Sequence, residues 1–152
     1  MRKIDRQLRT AANRGNCTAI ERLIAEGADV NAQDDAGWTA VQTAAMEGHA
    51  DAAQILINAG ANADAKDEYG WSLLHDAAIC GHAATLEVLI RAGADLTKQT
   101  TRDWANIPAG STPRDAAAQE GHAGIVALID EALAARSLQD KSSSEKRHRI
   151  GL

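Results

Sequence analysis

The sequence predicts an all-α solenoid in which four copies of a helix–turn–helix unit stack side by side, joined by hairpin-like fingers. The first observation behind this prediction is glycine spacing. Glycines recur every 33 residues in two series, Gly15, Gly48, Gly81 and Gly27, Gly60, Gly93. A period between roughly 20 and 50 residues indicates one supersecondary unit copied along the chain. The second observation is a set of apolar columns at the same period, and the third is the polar replacement of two columns in the last copy.

Each copy is predicted to contain two short helices. Hydroxyl residues stand where the first helix needs an N-cap, namely Thr39, Ser72 and Thr112. Pro113 follows at a first helical position, where its missing N–H costs nothing. A glycine nine residues after each N-cap permits the positive φ that ends a helix. Segments 28–37 and 61–70 are rich in Asp, Asn and Gly, which favours tight turns between copies.

The apolar columns predict the core and its outer limit. One column of the second helix reads Leu23, Leu56, Leu89 and Ile129. The next column reads Ile24, Ile57, Ile90 and then Asp130, and a column of the first helix reads Leu8, Val41, Leu74 and then Arg114. An apolar residue in the last copy would have no further repeat to cover it. The polar replacements therefore predict that the array ends near Leu133.

These repeated residues resemble the ankyrin-repeat pattern over roughly residues 4–133. The resemblance rests on residues 70–75 (Gly-Trp-Ser-Leu-Leu-His), the Gly-His pairs at 48–49, 81–82 and 121–122, and residues 27–31 (Gly-Ala-Asp-Val-Asn). Residues 39–42 lack the family's proline and histidine, which is expected to loosen one helix start. Residues 112–115 lack its leucine and histidine, as a capping repeat allows.

The predicted ankyrin-repeat domain covers residues 1–133. Its repeats fall at about 4–33, 34–66 and 67–106, with a C-terminal cap at 107–133, followed by a polar tail at 134–152 that is expected to be disordered. Gly93 and Gly110 lie 17 residues apart where the corresponding glycines elsewhere lie ten apart, so the third finger carries seven extra residues. This insertion, within 97–109, either extends a recognition surface by exposing Trp104 and Ile107 or is a tolerated surface loop.

Charge and composition narrow the class of partner. Residues 23–133 hold 17 acidic and 5 basic residues, whereas both ends of the chain are basic. An acidic body disfavours nucleic acid as the main partner. No apolar run suits a membrane span or a signal peptide, so a cytoplasmic protein is expected, with a nuclear location left open. Cys17 and Cys80 are expected to be buried or half-buried free thiols.

The resemblance implies a module that binds another protein through its fingers and first helices. All four aromatic residues lie in predicted fingers, and Trp and Tyr often carry binding energy. The residues predicted to contact a partner are Asp35, Trp38, Met46, Glu47, Glu68, Tyr69, Trp71, Ile79, Cys80, Arg102 and Trp104. The mixture of aromatic and acidic residues predicts a basic or mixed partner surface. The alternative is that each tryptophan only packs on the next finger.

No enzymatic activity, cofactor or metal is expected. His49, His82 and His122 fall in successive repeats, too far apart to share an ion, and are predicted to bond backbone near the second helices. His75 and Asp76 have no nucleophile placed beside them in the repeat pattern. Two alternatives remain open: an inhibitor that occludes one enzyme, and a self-associating scaffold. A monomer is expected, with a weak homodimer as the other possibility.

Overall fold

The computed structural model describes residues 1–150, and its helices pair as the repeat pattern predicts. The helices are α1 (Lys3–Asn13), α2 (Cys17–Ala25), α3 (Ala40–Met46), α4 (Ala50–Asn58), α5 (Leu73–Ile79), α6 (Ala83–Arg91), α7 (Pro113–Gln119) and α8 (Ala123–Ile150). Odd-numbered helices are the first helices of their repeats and even-numbered helices the second. The prediction of an all-α repeat solenoid is confirmed.

The helices form two layers with the core between them. In one layer α1 packs on α3, α3 on α5 and α5 on α7, and in the other α2 packs on α4, α4 on α6 and α6 on α8. The predicted column Leu23, Leu56, Leu89 and Ile129 is buried in every repeat. Paired alanines, including Ala44/Ala45 and Ala77/Ala78, are buried too. Their small side chains let adjacent first helices approach closely, which sets the regular stacking of the repeats.

Capping boxes fix the start of three first helices, including the one expected to be loose. In α3 the Thr39 side chain accepts from the Gln42 N–H, and the Thr39 N–H donates back to Gln42 Oε1 at 3.0 Å. Gln42 is buried, with 2% of its surface exposed. The expectation of a loosened helix start was therefore wrong, because glutamine at this position supplies the same return hydrogen bond that histidine supplies in α5.

The repeated histidines tie each repeat to the one before it. Nε2 of His49, His82 and His122 lies 2.9–3.0 Å from a backbone carbonyl at the end of the preceding first helix. The predicted backbone bonding is thus present, but it reaches the first helix of the previous repeat rather than a second helix. Each imidazole also packs against a glycine of that repeat, so a Cβ at Gly48 would lie 2.6 Å from His82 Nδ1.

The two polar replacements in the last repeat meet each other. Arg114 of α7 donates from Nε and Nη2 to the carboxylate of Asp130 in α8 at 2.6 and 3.0 Å. This pair bridges the first and second helices of the cap at positions that hold apolar residues in the other repeats. The array therefore ends in a hydrogen-bonded polar face rather than in an uncovered apolar one.

Residues 134–150 differ from the disorder expected for the tail, because α8 continues as a helix to Ile150, and residues 151–152 lie outside the described residues. Residues 125–150 contain no glycine or proline to end the helix, and the guanidinium of Arg136 bonds the carbonyl oxygens of Ala94 and Ile90 at 2.8 and 3.1 Å. Basic residues in the last turn also favour the helix C-terminus. None of the helices described, α8 included, combines the length and the apolar character that crossing a membrane requires.

Candidate functional site

The fingers hold their tryptophans in place by a repeated aspartate turn. Asp34 Oδ1 accepts from the Trp38 N–H at 2.8 Å, and Asp67 Oδ1 accepts from the Trp71 N–H at 2.9 Å. Each aspartate N–H also donates to the carbonyl of the same tryptophan at 3.0 Å. These reciprocal bonds close each finger tip, as short polar side chains do in tight turns. The equivalent backbone positions of Trp38 and Trp71 therefore follow directly from the 33-residue repeat.

The insertion folds into a small hairpin that is fastened to the second finger. Within it, the N–H groups of Trp104 and Ile107 each donate to the other residue's carbonyl at 2.8 Å. The Thr101 N–H donates to the Tyr69 carbonyl at 2.8 Å, which joins the two fingers. Ile107 is only 1% exposed, so of the two side chains that a recognition loop would expose, Trp104 and Ile107, the insertion exposes only Trp104. Ile107 packs with Trp71 and Ala116 in a second hydrophobic cluster, which anchors the insertion to the body of the repeat.

This anchoring places Trp104 against Trp71. The centroids of the two rings lie 5.2 Å apart with their planes tilted by 49°, within the usual range for aromatic pairs. Trp104 remains 51% exposed, whereas Trp71 is only 8% exposed. Trp71 was predicted to contact a partner, with packing on the next finger as the alternative, and its ring does pack on that finger, against Ile107 and Trp104. Trp104 thus presents the outer aromatic surface of the pair to solvent.

An open cavity of about 320 Å³ lies where the fingers meet the first helices. It is lined by Trp38, Met46, Asp67, Tyr69, Trp71, Asp76 and Trp104, and we call it the aromatic cavity. Its lining comes from three consecutive fingers, the end of α3 and the body of α5. Five of the predicted partner-contact residues are therefore brought together at one site, with all three tryptophans of the chain among them.

Two lining residues, Asp67 and Asp76, were not among the predicted contact residues, and Asp76 is the buried one. Asp76 is 5% exposed, and its Oδ1 accepts a hydrogen bond of 2.7 Å from the Trp71 indole N–H. Burial raises the pKa of Asp76 from 3.8 to about 7, against the lowering effect of the Trp71 bond. A signal was present in the sequence, because Asp76 occupies a repeat position held by Thr43 and Ala116 in the neighbouring copies. A carboxylate in a buried column calls for a specific explanation.

The other predicted contact residues do not line the cavity. Asp35, Glu47, Glu68, Cys80 and Arg102 are exposed. Cys80 was expected to be buried or half-buried, and it is more exposed than that because it follows the last residue of α5. The Arg102 guanidinium lies 5.4 Å from the centroid of the Tyr69 ring, an intramolecular cation–π contact. Ile79 is half-buried and packs against the cluster of Trp71 and Ile107.

His75 lies beside a hydroxyl group, which the repeat pattern had not indicated. Its Nδ1 is 2.8 Å from Ser72 Oγ and its Nε2 is 3.0 Å from the Ser111 carbonyl oxygen. Burial lowers the pKa of His75, which favours the neutral ring with Nε2 donating to the carbonyl. Ser72 is 2% exposed and caps α5, while the carboxylate of Asp76 bonds Trp71. The Ser72–His75 pair thus serves as a capping box that links two repeats.

The described residues contain no cluster of His, Cys, Asp and Glu side chains that could hold a metal ion. Cys17 and Cys80 are both free in the structure. The polar groups of the aromatic cavity are instead two carboxylates, the indole N–H groups and the Tyr69 hydroxyl. Such a set can bind through hydrogen bonds, ring faces and negative charge.

Comparison with known proteins agrees with this architecture. A family described as ankyrin repeats, in three copies, matches residues 8–100. Because the match covers more than half of the sequence, the chain belongs to the ankyrin-repeat family. Ankyrin repeats generally mediate protein–protein interaction and typically carry no catalytic site. No curated protein matches the chain as a relative.

Proposed function

We propose that this chain binds a partner protein through the aromatic cavity and the exposed residues around it. The observation that supports this most strongly is the course of the insertion, which leaves the regular repeat and sets Trp104 against Trp71 at the cavity mouth. A cavity that exposes aromatic rings on a concave surface is typical of an interaction site. The partner is expected to present a basic or mixed surface, because the exposed residues nearby include Asp35, Glu47 and Glu68.

The most direct experiment compares partner capture by the wild-type chain and two variants. Trp104→Ala removes the exposed ring at the cavity, whereas Leu138→Ala removes a 67% exposed apolar side chain from α8. We expect specific partners to be lost with Trp104→Ala and retained with Leu138→Ala. Capture of the same partners by Trp104→Ala at wild-type levels would contradict the proposed site.

The same samples distinguish a module for other proteins from a self-associating scaffold. A monomer is proposed, and sedimentation at micromolar concentration measures its mass. A concentration-dependent dimer that disappears in Trp104→Ala would mean that the aromatic cavity serves self-association.

We place the protein in the cytoplasm or nucleus, where free thiols such as Cys17 and Cys80 persist.

A further inference from the structure

The aromatic cavity combines ring faces with negative charge. Its carboxylates are Asp67 and Asp76, and none of its lining residues in the described part of the chain carries a positive charge. Ring faces attract cations by their quadrupole, and the effect grows where water is excluded. The Arg102 guanidinium lies over the Tyr69 ring, so one aromatic ring of the cavity already makes a cation–π contact. Both features favour a positively charged occupant.

The hydrogen bonding of Asp76 selects the shape of that cation. Oδ1 is engaged by the Trp71 indole, which leaves Oδ2 as the acceptor available to an occupant. An arginine guanidinium binds best when it can donate two parallel bonds to one carboxylate. A lysine ammonium is a compact charge that needs only one acceptor, and its four-carbon stem suits an apolar lining. Trp38 and Met46 contribute part of that lining.

We propose that the aromatic cavity binds a lysine side chain of the partner, with its ammonium group at Asp76 and its stem among the tryptophan rings. This inference rests on the proposed function, since it names the partner group that the site would receive. The raised pKa of Asp76 adds a consequence, because an arriving ammonium group favours the ionised carboxylate. Binding therefore strengthens as the pH rises from 6 to 8.

The other charged groups near Asp76 do not reverse this increase in affinity with pH. Asp67 in the second finger raises the pKa of Asp76. Glu47, which follows the last residue of α3, raises the pKa of Cys80. Asp115 of α7 raises the pKa of His75, the residue before Asp76. These groups are acidic, and the basic residue Arg102 lies over the Tyr69 ring. The neutral ring of His75 on α5 adds no competing positive charge.

The test uses n-butylammonium as a probe for the lysine side chain, with 1-butanol as its neutral counterpart and n-butylguanidinium as its arginine-like counterpart. Binding is read from the indole N–H signals of the three tryptophans, all of which lie at the cavity. At pH 8 and constant ionic strength, we expect butylammonium to bind at least about fivefold more tightly than butanol and more tightly than butylguanidinium. Equal binding of butanol would overturn the role of charge, and tighter binding of butylguanidinium would overturn the choice of lysine.

Asp76→Asn tests the position of the ammonium group. Asparagine keeps an oxygen acceptor for the Trp71 indole, so the Trp71 signal reports whether the local fold persists. We expect butylammonium to bind about fivefold more weakly to Asp76→Asn. Asp51→Asn removes the same charge from an exposed position in α4 and is expected to leave binding unchanged. Wild-type affinity in Asp76→Asn, or a wild-type affinity that does not rise between pH 6 and 8, would overturn the proposal. If butylammonium fails but Trp104→Ala still loses the partner, the proposed function stands and only the lysine assignment falls.

Discussion

The indole N–H of Trp71 donates to Asp76 Oδ1 at 2.7 Å, which joins a finger tryptophan to a buried carboxylate of α5. The bond fixes the ring edge of Trp71, and the ring in turn packs against Trp104 and His75. One hydrogen bond thus links the second finger, the insertion and the cap of a first helix. Asp76 therefore positions the Trp71 ring and supplies one of the two carboxylates of the aromatic cavity.

The first prediction concerns stability and pH. The pKa of Asp76 is about 7 in the folded chain and 3.8 in the unfolded chain, so between these values the folded state holds a proton that the unfolded state has lost. Stability due to Asp76 therefore falls as the pH rises from 4 to 7, by about 4 kcal/mol in total. His75 acts in the opposite direction, because its pKa is lowered on folding and the unfolded ring takes up a proton below its ordinary pKa.

Comparison with Asp76→Asn isolates this effect from that of His75. We expect urea unfolding to show the variant gaining stability relative to wild type as the pH rises from 4 to 8, by that same amount. The lowered pKa values of Asp5, Asp95 and Asp130 affect stability only near pH 4 and below. They are the same in the wild type and in Asp76→Asn, so they cancel in the comparison. A difference in unfolding free energy that stays constant across this range would show that Asp76 ionises normally.

The second prediction separates binding from folding within the insertion. Trp104 is half exposed, so Trp104→Ala is expected to abolish partner binding at a cost of less than about 1 kcal/mol in stability. Ile107 is buried, so Ile107→Ala is expected to cost about 3 kcal/mol and to weaken binding by releasing the hairpin. Thermal unfolding and partner affinity are measured for both variants. Equal stability losses in the two variants would mean that Ile107 does not anchor the insertion.

The third prediction compares two glycines with similar backbone angles and different surroundings. Gly48 and Gly60 both have positive φ, at 76° and 98°, but only Gly48 has a neighbour within reach of an added Cβ. Gly60→Ala should cost about 1 kcal/mol from backbone strain alone. Gly48→Ala should cost about 2 kcal/mol or more, because the His82 ring must also move from the Met46 carbonyl. Denaturant unfolding measures both, and equal costs would refute a packing role for His82.

The fourth prediction concerns the end of the array. Arg114→Leu combined with Asp130→Ile restores the residue types of the internal repeats and creates an apolar end face. We expect this double variant to self-associate, as measured by sedimentation over a range of concentrations, because an uncovered repeat face seeks another surface. Arg114→Lys serves as the control, since it keeps the end face charged. A double variant that remains monomeric would indicate that another feature caps the array.

Much of the fold could be predicted because the same sequence pattern recurs in each copy of the repeat. The helix starts, the buried columns and the polar cap each recur or fail to recur at a fixed spacing, and the structure confirms the all-α repeat architecture on which they depend. The helical tail could not be predicted in the same way. The tail occurs once, so no repeated pattern predicts its structure. Its polar composition is typical of disorder, and the bonds from Arg136 to carbonyl groups about forty residues earlier cannot be read from the sequence.

The candidate site was predictable in its residue types and less so in its geometry. Finger position identified the tryptophans, but the burial of Trp71 depends on a hairpin whose sequence has no counterpart in the other repeats. The same hairpin turns Ile107 inward. Asp76 escaped notice because its role depends on the Trp71 indole, a contact made across the finger rather than along the helix.

The most direct test of the account observes the three tryptophan indole N–H signals while a captured partner is added to the wild-type chain. All three indoles line the aromatic cavity, so each signal reports on the proposed site itself. We predict that the signals of Trp38, Trp71 and Trp104 shift or broaden together and saturate at the stoichiometry of binding. Indole signals that stay unchanged when the partner is fully bound would contradict the claim that this cavity is where the protein binds.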